Sequence, residues 1–228
     1  MKGIAFDIKG NLGHFRRPDT TATQMTYPFI TPTAAKGLVG AILGMEDFVT
    51  TDKIGIKLLH PVRIVAQQMS MLGKDSGSTF NRPTTIELLV NPAYRIYYTG
   101  EEYTEQLLAF LAQEKSVYTT YLGAAYALTK PVLYKIFPDV YYVPMEEQEI
   151  TLSSVVPIAI IKNIVLKTDN YYCRAGGYLF QYKKNRTFEK SIDFLYEKDG
   201  KPISIIPKEE PLLDLVLAKF GRDIVCLI

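Results

Sequence analysis

The chain has little of the chemistry on which most catalytic and metal sites depend. Its only cysteines, Cys173 and Cys226, are far apart and lack metal-ligand spacing, which argues against a disulfide framework or a zinc site and favours a reducing cytoplasm. Only His14 and His60 could serve as near-neutral bases, and His60, before Pro61 in a strand-rich stretch, is assigned a structural role. The sequence contains no GxxxxGKS/T phosphate loop, no HExxH, no GxSxG and no CxxC motif. We therefore predict no metal and no cofactor.

Net charge and long apolar runs are also scarce. The 228 residues carry 26 basic and 24 acidic side chains, a net charge of +2, so any binding of nucleic acid must come from local clustering. The longest apolar run, residues 155–161, contains Pro157 and is too short to cross a bilayer. The sequence starts directly in a strand-like alternation without a signal-peptide apolar region. These features predict a cytoplasmic protein with no membrane contact.

The first 120 residues show a β–α–ββ–α–β succession. Residues 4–8 alternate with the period of a half-buried strand, and residues 34–43 are small or apolar almost all round, as in a buried helix. Two β runs at 62–90 are joined by a polar loop with its tip at 73–82, which predicts a long hairpin. A second helix is expected at 101–114 and a strand at 117–122, ended by Gly123. This order is ferredoxin-like, or RRM-like.

After Pro131 the pattern changes to short strands separated by turn signals. Strands are expected at 140–143, 150–156, 171–182, 192–196 and 203–206, and residues 209–220 could be a helix or a final strand. The predicted fold class is therefore α+β. Its domains are a ferredoxin-like domain at 1–130 with a protruding β-hairpin, and a smaller β-rich region at 131–228.

A group of cationic residues follows the first predicted strand. Arg16 and Arg17 lie on the loop after it, with His14 just before them, and the planar guanidinium fork suits phosphate. A helix N-terminus near Thr33 could add backbone N–H donors, and Lys36 lies one turn into that helix. Adjacent arginines on a loop can also be plain solvated charge. The convergence of three cations and a helix start within about 25 residues favours an anion-binding site.

Two further segments are candidates for contact with single-stranded bases. The hairpin tip carries Lys74, Phe80, Asn81 and Arg82, an aromatic ring beside cations that could stack on bases while the charges hold phosphates. The alternative is a solvent-exposed loop. Tyr121 precedes Gly123, where a glycine would let the backbone approach a ligand closely. The basic group Lys183, Lys184, Arg186 and Lys190 is interpreted mainly as solvated hairpin charge.

Several of these stretches resemble the CRISPR-associated Cas five family, part of the RAMP group of RNA-binding proteins. The resemblance is carried in order by Phe15-Arg16-Arg17-Pro18, Tyr27-Pro28 and the segment from Thr31 to Gly44. Residues 86–97 are similar to the family's strand after its protruding hairpin, and Tyr121-Leu122-Gly123 to a later strand-to-glycine element. The motifs are most similar to the type I-B branch. The C-terminal β region carries no specific motif.

The resemblance implies a non-catalytic subunit of the Cascade complex in antiviral defence. Such a subunit would hold the 5′ handle of the crRNA, cap a filament of Cas seven subunits and contact the large Cascade subunit. Arg16, Arg17 and Lys36 would then hold handle phosphates, and the hairpin at 62–90 would act as a thumb that kinks the RNA. The predicted RNA-binding residues are His14, Arg16, Arg17, Tyr27, Lys36, Lys74, Phe80, Asn81, Arg82, Tyr121 and Gly123.

Two other functions stay open. The type I-C branch of the family cleaves precursor RNA with a Tyr, Lys and His set that includes an adjacent Lys-His pair, and this chain has no Lys-His dipeptide. His14, Tyr27 and Lys36 could in principle form a metal-independent acid–base set that activates a 2′-hydroxyl group. The third possibility is a ferredoxin-like scaffold that binds only protein, which the near-neutral net charge would suit.

Overall fold

The computed structural model describes residues 1–75, 77–185, 187–209 and 214–228, with the backbone alone for Lys74 and Asp75. The described chain is mostly β and forms five antiparallel sheets. The strands in the first 130 residues are β1 (Gly3–Lys9), β2 (Leu12–Gly13), β3 (Lys53–Leu58), β4 (Ile64–Asp75), β5 (Ser78–Val90) and β6 (Ala93–Thr99). The later strands are β7 (Val132–Phe137), β8 (Tyr141–Val143), β9 (Ile150–Leu152), β10 (Val156–Pro157), β11 (Ile161–Val165), β12 (Tyr172–Lys184), β13 (Thr187–Glu197), β14 (Ile203–Pro207), β15 (Val216–Phe220) and β16 (Asp223–Leu227).

A four-stranded sheet in the order β3-β6-β1-β7 lies at the centre, with each strand antiparallel to its neighbour. Helix α1 (Pro32–Leu43) connects β1 and β2 to β3, and helix α2 (Thr104–Ala112) lies between β6 and β7. The Thr31 hydroxyl accepts a hydrogen bond from Ala34 N at 3.0 Å, and Pro32 occupies the first turn of α1. The helix ends at Gly44, whose φ of 80° is left-handed. Neither helix in the described chain is long and apolar enough to span a membrane.

The two faces of the central sheet bury different partners. On one face Ile4, Phe6 and Ile8 join the main core with residues of both helices. On the other face Ala5 and Tyr97 pack against the sheet β16-β15-β8. The alternation of side chains along a strand therefore gives each face its own core. A third sheet has the order β11-β14-β9, and a short 3-10 helix at Ile158–Ile160 leads directly into β11.

Two long hairpins leave this core. The first pairs β4 with β5 from Ile64↔Leu89 to Asp75↔Ser78. The second pairs β12 with β13 from Tyr172↔Glu197 to Lys184↔Thr187, and β10 extends it into a sheet. The polar segment predicted as a loop with its tip at 73–82 is mostly strand, because the backbone ladder of the first hairpin continues to Asp75 and Ser78.

One predicted strand is wrong. Residues 117–122 form no strand: Val117 N donates to Ile42 O at 3.1 Å and Tyr118 N to Ala41 O at 3.0 Å, so the segment instead covers the end of α1. The fourth strand of the central sheet is β7, which pairs with β1 and lies beyond residue 130. The region 131–228 therefore contributes a strand to the sheet of the first region.

The C-terminal strands that were predicted lie close to strands of the structure, which also contains the unpredicted β11 and β16. The run expected at 150–156 is divided into β9 and β10 around Ser153 and Ser154, and 216–220 is a strand, with 210–213 outside the described residues. Both cysteines are free: Cys173 is half-buried, whereas Cys226 lies buried in β16, where burial raises the pKa of its thiol. Cys226 N donates to Ser154 Oγ at 2.9 Å.

Candidate nucleic-acid interface

Residues 14–27, here called the arginine loop, fold back on themselves in a short ladder. Arg16 forms an antiparallel bridge with Thr26. Arg17 N donates to Met25 O at 2.9 Å, and Tyr27 N donates to Phe15 O at 2.8 Å. Because the backbone of both arms is hydrogen-bonded, the two arginines extend from an ordered loop.

The arginine loop is attached to strand β5 of the first hairpin. Gln24 N donates to Thr85 O at 2.8 Å, and Glu87 N donates to Gln24 O at 3.0 Å. The Glu87 carboxylate accepts from Thr26 N at 3.1 Å. The sequence around Arg16 and the base of the first hairpin therefore form one continuous surface.

The two arginines differ in their electrostatic state. Arg17 is paired with Asp19 through two hydrogen bonds, Nε–Oδ1 at 3.1 Å and Nη2–Oδ2 at 2.7 Å. The hydrogen bond between them raises the pKa of Arg17 and lowers the pKa of Asp19. Arg16 is exposed, and in the described chain its guanidinium has no ion-pair partner. Arg16 is therefore the stronger candidate for binding phosphate.

His14 and Tyr27 lie in the interior. The acceptor at 2.8 Å from His14 Nδ1 is Glu87 O, so Nδ1 carries the proton, and the buried Nε2 has no hydrogen-bond partner among the described residues. The Tyr27 hydroxyl donates to Gly177 O at 2.5 Å, and desolvation raises its pKa. In this arrangement Tyr27 connects the arginine loop to β12.

Lys36 lies in a different charged environment from the arginines. Desolvation, with the nearby Lys53, lowers the pKa of Lys36 to about 8, and Asp52 is the main acidic neighbour. The acidic neighbours of Arg17 are instead Asp19 and Glu87. Lys36 and Arg17 therefore have different acidic neighbours.

The start of α1 offers few free donors. Ala34 N donates a hydrogen bond to the Thr31 hydroxyl, and Ala35 N donates one to the Thr31 carbonyl at 2.9 Å. Pro32 has no N–H to offer. Thr31 and Pro32 are buried. The anion site expected at this helix N-terminus, near Thr33, would therefore have few free backbone N–H donors.

Predicted residues of the hairpin tip lie along the first hairpin, where the sulfur of Met71 accepts a hydrogen bond from Gln24 Nε2 of the arginine loop at 3.6 Å. Arg82 is paired with Met71 and is five residues from Glu87, about 17 Å at the rise of a strand. Asn81 and Arg82 are exposed, and the side chain of Lys74 lies outside the described residues. The Phe80 ring covers Gly73, where an added Cβ would come within 2.6 Å of the ring. Covering a strand glycine gives Phe80 a structural role in addition to any contact with bases.

Gly123 is brought close to the arginine loop. Its φ of 82° is left-handed, and a Cβ at this position would lie 2.2 Å from His14 O. Only glycine fits such a close backbone approach. Tyr121, two residues earlier, is exposed and forms a bridge with Leu128.

Sequence reasoning missed one group of basic residues altogether. Lys9, His60 and Arg63 line a common cleft, although they come from the end of β1, the segment after β3 and the start of the first hairpin. No local pattern marks them, because the fold alone brings them together. The only local signals were the turn residues Gly10 and Asn91-Pro92.

Several solved structures share the fold of this chain. A CRISPR protein from Archaeoglobus fulgidus is 14% identical with a TM-score of 0.59, covering 99% of this chain and 98% of that one. A chain of a CRISPR RNA-guided surveillance complex is 14% identical with a TM-score of 0.55, covering 93% and 95%. A chain of the type III-B Cmr-beta complex bound to cognate target RNA and AMPPnP is 12% identical with a TM-score of 0.51, covering 88% and 86%.

No curated protein matches the sequence. A family model described as CRISPR-associated protein (Cas_Cas5) matches residues 3–121, which is just over half of the chain and includes the arginine loop, the first hairpin and Tyr121. The chain therefore belongs to the CRISPR-associated protein (Cas_Cas5) family.

Proposed function

We propose that this chain is a non-catalytic, RNA-binding subunit of a Cascade-type CRISPR complex and holds the 5′ handle of the crRNA in antiviral defence. The observation that carries this proposal is the arginine loop. It presents an exposed Arg16, which has no ion-pair partner among the described residues, beside the base of the first hairpin, and Gly123 packs against its backbone. Exposed guanidinium groups on an ordered loop suit phosphate contacts to a single strand.

A ferredoxin-like architecture with a thumb belongs to the same proposal. The sheet order β3-β6-β1-β7, with a helix in each crossover, supports the β–α–β–β–α–β arrangement. The first hairpin supports the thumb, because its distal residues on both strands are exposed. The predicted type I-B branch is part of this proposal.

The proposed protein partners are the Cas seven backbone subunits and the large Cascade subunit. Strand β7 is an edge of the central sheet, and it exposes Val132, Tyr134 and Ile136. An exposed apolar edge strand is the kind of surface that a neighbouring subunit covers. Such a complex would place the chain in the cytoplasm, where its free thiols stay reduced.

The proposal of a non-catalytic role is supported by the surroundings of the three candidate residues. His14 Nε2 is buried, the Tyr27 hydroxyl donates to Gly177 O, and Lys36 lies among charges that do not surround Arg17. A general base must reach the proton that it abstracts. These three groups would have to rearrange before they could act on one 2′-hydroxyl.

The test compares Arg16→Ala, Arg17→Ala and the control Arg222→Ala in binding to a repeat-derived RNA and to a scrambled RNA. Arg222 is exposed and has no ion-pair partner in the described chain, so the control removes the same charge elsewhere. We expect Arg16→Ala to weaken binding of the repeat RNA about tenfold and to lower the slope of log K against log salt by about 0.7. The loss in Arg17→Ala should be smaller, because Asp19 already neutralises that side chain.

Denaturing gels of the same mixtures separate the alternatives. Equal binding by Arg16→Ala and Arg222→Ala would contradict the role of the arginine loop. A metal-independent cut at one position, lost in His14→Ala, would make the chain a processing endoribonuclease. Complex assembly that survives the changes at Arg16, Arg17 and His14, with no RNA co-purifying with the wild type, would favour the protein-only scaffold.

A further inference from the structure

A cleft of about 450 Å³ lies where β1 ends and the first hairpin begins. Three separate segments of the chain meet there: the turn after β1, the segment between β3 and β4, and the turn between β5 and β6. Its polar lining comes from Lys9, Asn11, His60, Arg63 and Asn91. The family resemblance assigned no role to any of these five residues.

Backbone hydrogen bonds hold the three segments together. Asn91 N donates to Asn11 O at 2.9 Å, and Gly10 N donates to Pro92 O at 3.1 Å. Val90 N donates to Arg63 O at 2.9 Å. The cleft is therefore formed before any ligand arrives, which lowers the entropic cost of binding.

The lining is basic without an acidic counterpart. Lys9, His60 and Arg63 line the cleft, and no carboxylate does. Within the described residues none of these three side chains has an ion-pair partner, whereas Arg17 is neutralised by Asp19. In a chain with a net charge of only +2, such a local excess of positive charge favours an anion.

The remaining groups suit a base better than a simple anion. His60 Nδ1 donates to Asn91 O at 3.0 Å, which leaves Nε2 available to a ligand. The side-chain amides of Asn11 and Asn91 can both donate and accept hydrogen bonds. Pro61 and Pro92 add apolar surface, and the volume lies within the range of small-molecule sites, about 300–1,000 Å³.

We propose that this cleft holds one ribonucleotide unit, with its phosphate between Lys9 and Arg63 and its base near Asn11 and Asn91. That the nucleotide belongs to a bound RNA strand rests on the proposed function. The position of the cleft supports a bound RNA strand, because the cleft and the arginine loop lie along the same strand, β5. Leu12 pairs with Val90 of β5 beside the cleft, and His14, at the start of the arginine loop, donates to Glu87 O of β5. A free nucleotide offers the same phosphate and base, and the experiment distinguishes it from an RNA strand by a separate titration with AMP.

The experiment uses the full chain with two matched double variants. The cleft variant is Lys9→Gln with Arg63→Gln, and the control is Lys219→Gln with Arg222→Gln, which removes the same charges from exposed positions elsewhere. Fluorescence anisotropy measures binding of the repeat-derived RNA over a salt series. In parallel, ¹⁵N–¹H spectra follow the amides of Asn11 and Asn91 during titration with AMP. Both variants are first checked for wild-type circular dichroism, which is expected since all four side chains are on the surface.

We expect the cleft variant to bind RNA at least tenfold more weakly than the control, with a salt slope shallower by about 0.7 for the one phosphate that it no longer neutralises. AMP should shift both amides in the wild type and the control but not in the cleft variant. Equal RNA binding by the two variants together with amides that AMP does not move would overturn the proposal.

The RNA-binding measurements and the AMP titration together also distinguish failure of this inference from failure of the proposed function. If Arg16→Ala weakens RNA binding while the cleft variant matches the control and AMP moves neither amide, the proposed function stands and the cleft is rejected. If the wild type binds no RNA, the proposed function fails, and the AMP titration alone decides: shifts at Asn11 and Asn91 support a free-nucleotide site, and their absence rejects it.

Discussion

The two long hairpins have similar lengths but very different relations to the core. The first is exposed along its distal half, and Leu72 is 80% exposed. The second buries Tyr178, whose ring lies 4.2 Å from Tyr27 and 5.0 Å from Phe29, measured between centroids. A ladder of backbone hydrogen bonds is therefore common to both hairpins, and side-chain burial decides how far along each hairpin the core extends.

Truncation of one large side chain on each hairpin should give the largest difference between them. Tyr178→Ala removes a fully buried ring from an aromatic cluster, so we expect a loss of about 3–5 kcal/mol in the free energy of unfolding. Leu72→Ala on the first hairpin should change it by less than about 0.5 kcal/mol. Urea denaturation followed by circular dichroism gives both values.

Tyr178→Phe is the control for this pair. The Tyr178 hydroxyl is buried, and no partner for it exists among the described residues, so its removal should cost nothing and can stabilise the protein. Similar losses for Tyr178→Ala and Leu72→Ala would show that the two hairpins are equally integrated into the core.

A smaller effect is expected from the bond that joins the arginine loop to the second hairpin. Tyr27→Phe removes the hydrogen bond from the hydroxyl to Gly177 O, and we expect a loss of about 1 kcal/mol in the free energy of unfolding. Because Gly177 is exposed, water can replace the lost donor, which limits the cost. An unchanged urea midpoint would mean that ring packing alone holds this contact.

The smallest effect should appear as a dependence on pH. The hydrogen bond from Arg174, with that from Gly177 N, lowers the pKa of Asp193 in the second hairpin below the usual 3.8. A depressed pKa contributes stability above the unfolded value and loses it as the pH falls through the folded value. The stability difference between wild type and Asp193→Asn should therefore be present at pH 5 and shrink toward pH 2.

Glu189→Gln provides the comparison on the same hairpin. Lys183 also lowers the pKa of Glu189, but both side chains are exposed, and exposed ion pairs contribute little. Unfolding of this variant should follow the wild type at every pH. A difference for Asp193→Asn that stays constant down to pH 2 would contradict the assigned role of its charge.

Most helices and strands could be predicted because their signals are local. Alternation in residues 4–8 and the capping Thr31 with Pro32 mark β1 and α1 directly. The error at 117–122 has a tertiary cause. That stretch could pair in a sheet or cover the end of a helix. Its backbone hydrogen bonds to Ala41 O and Ile42 O place it over the end of α1. Local sequence carries no information about that choice.

The candidate site was predictable to a similar degree. Arg16 and Arg17 are adjacent in sequence and stay together, although no pattern indicated that Asp19 would neutralise one of them. Lys36 was grouped with them by sequence distance, whereas its charged surroundings depend on how α1 packs near Asp52. The cleft of Lys9, His60 and Arg63 depends on three distant segments and therefore could not be found from spacing.

The two free thiols give the protein a natural pair of chemical labels. Thiolates are the reactive species, so burial and a raised pKa protect Cys226 while the half-buried Cys173 is left more accessible. A maleimide dye should therefore modify Cys173 first in the folded protein without any engineered cysteine. The rate at which Cys226 becomes modified then reports how often β16 opens to expose its main-core face, and reagent kinetics can follow that opening as the protein enters a complex.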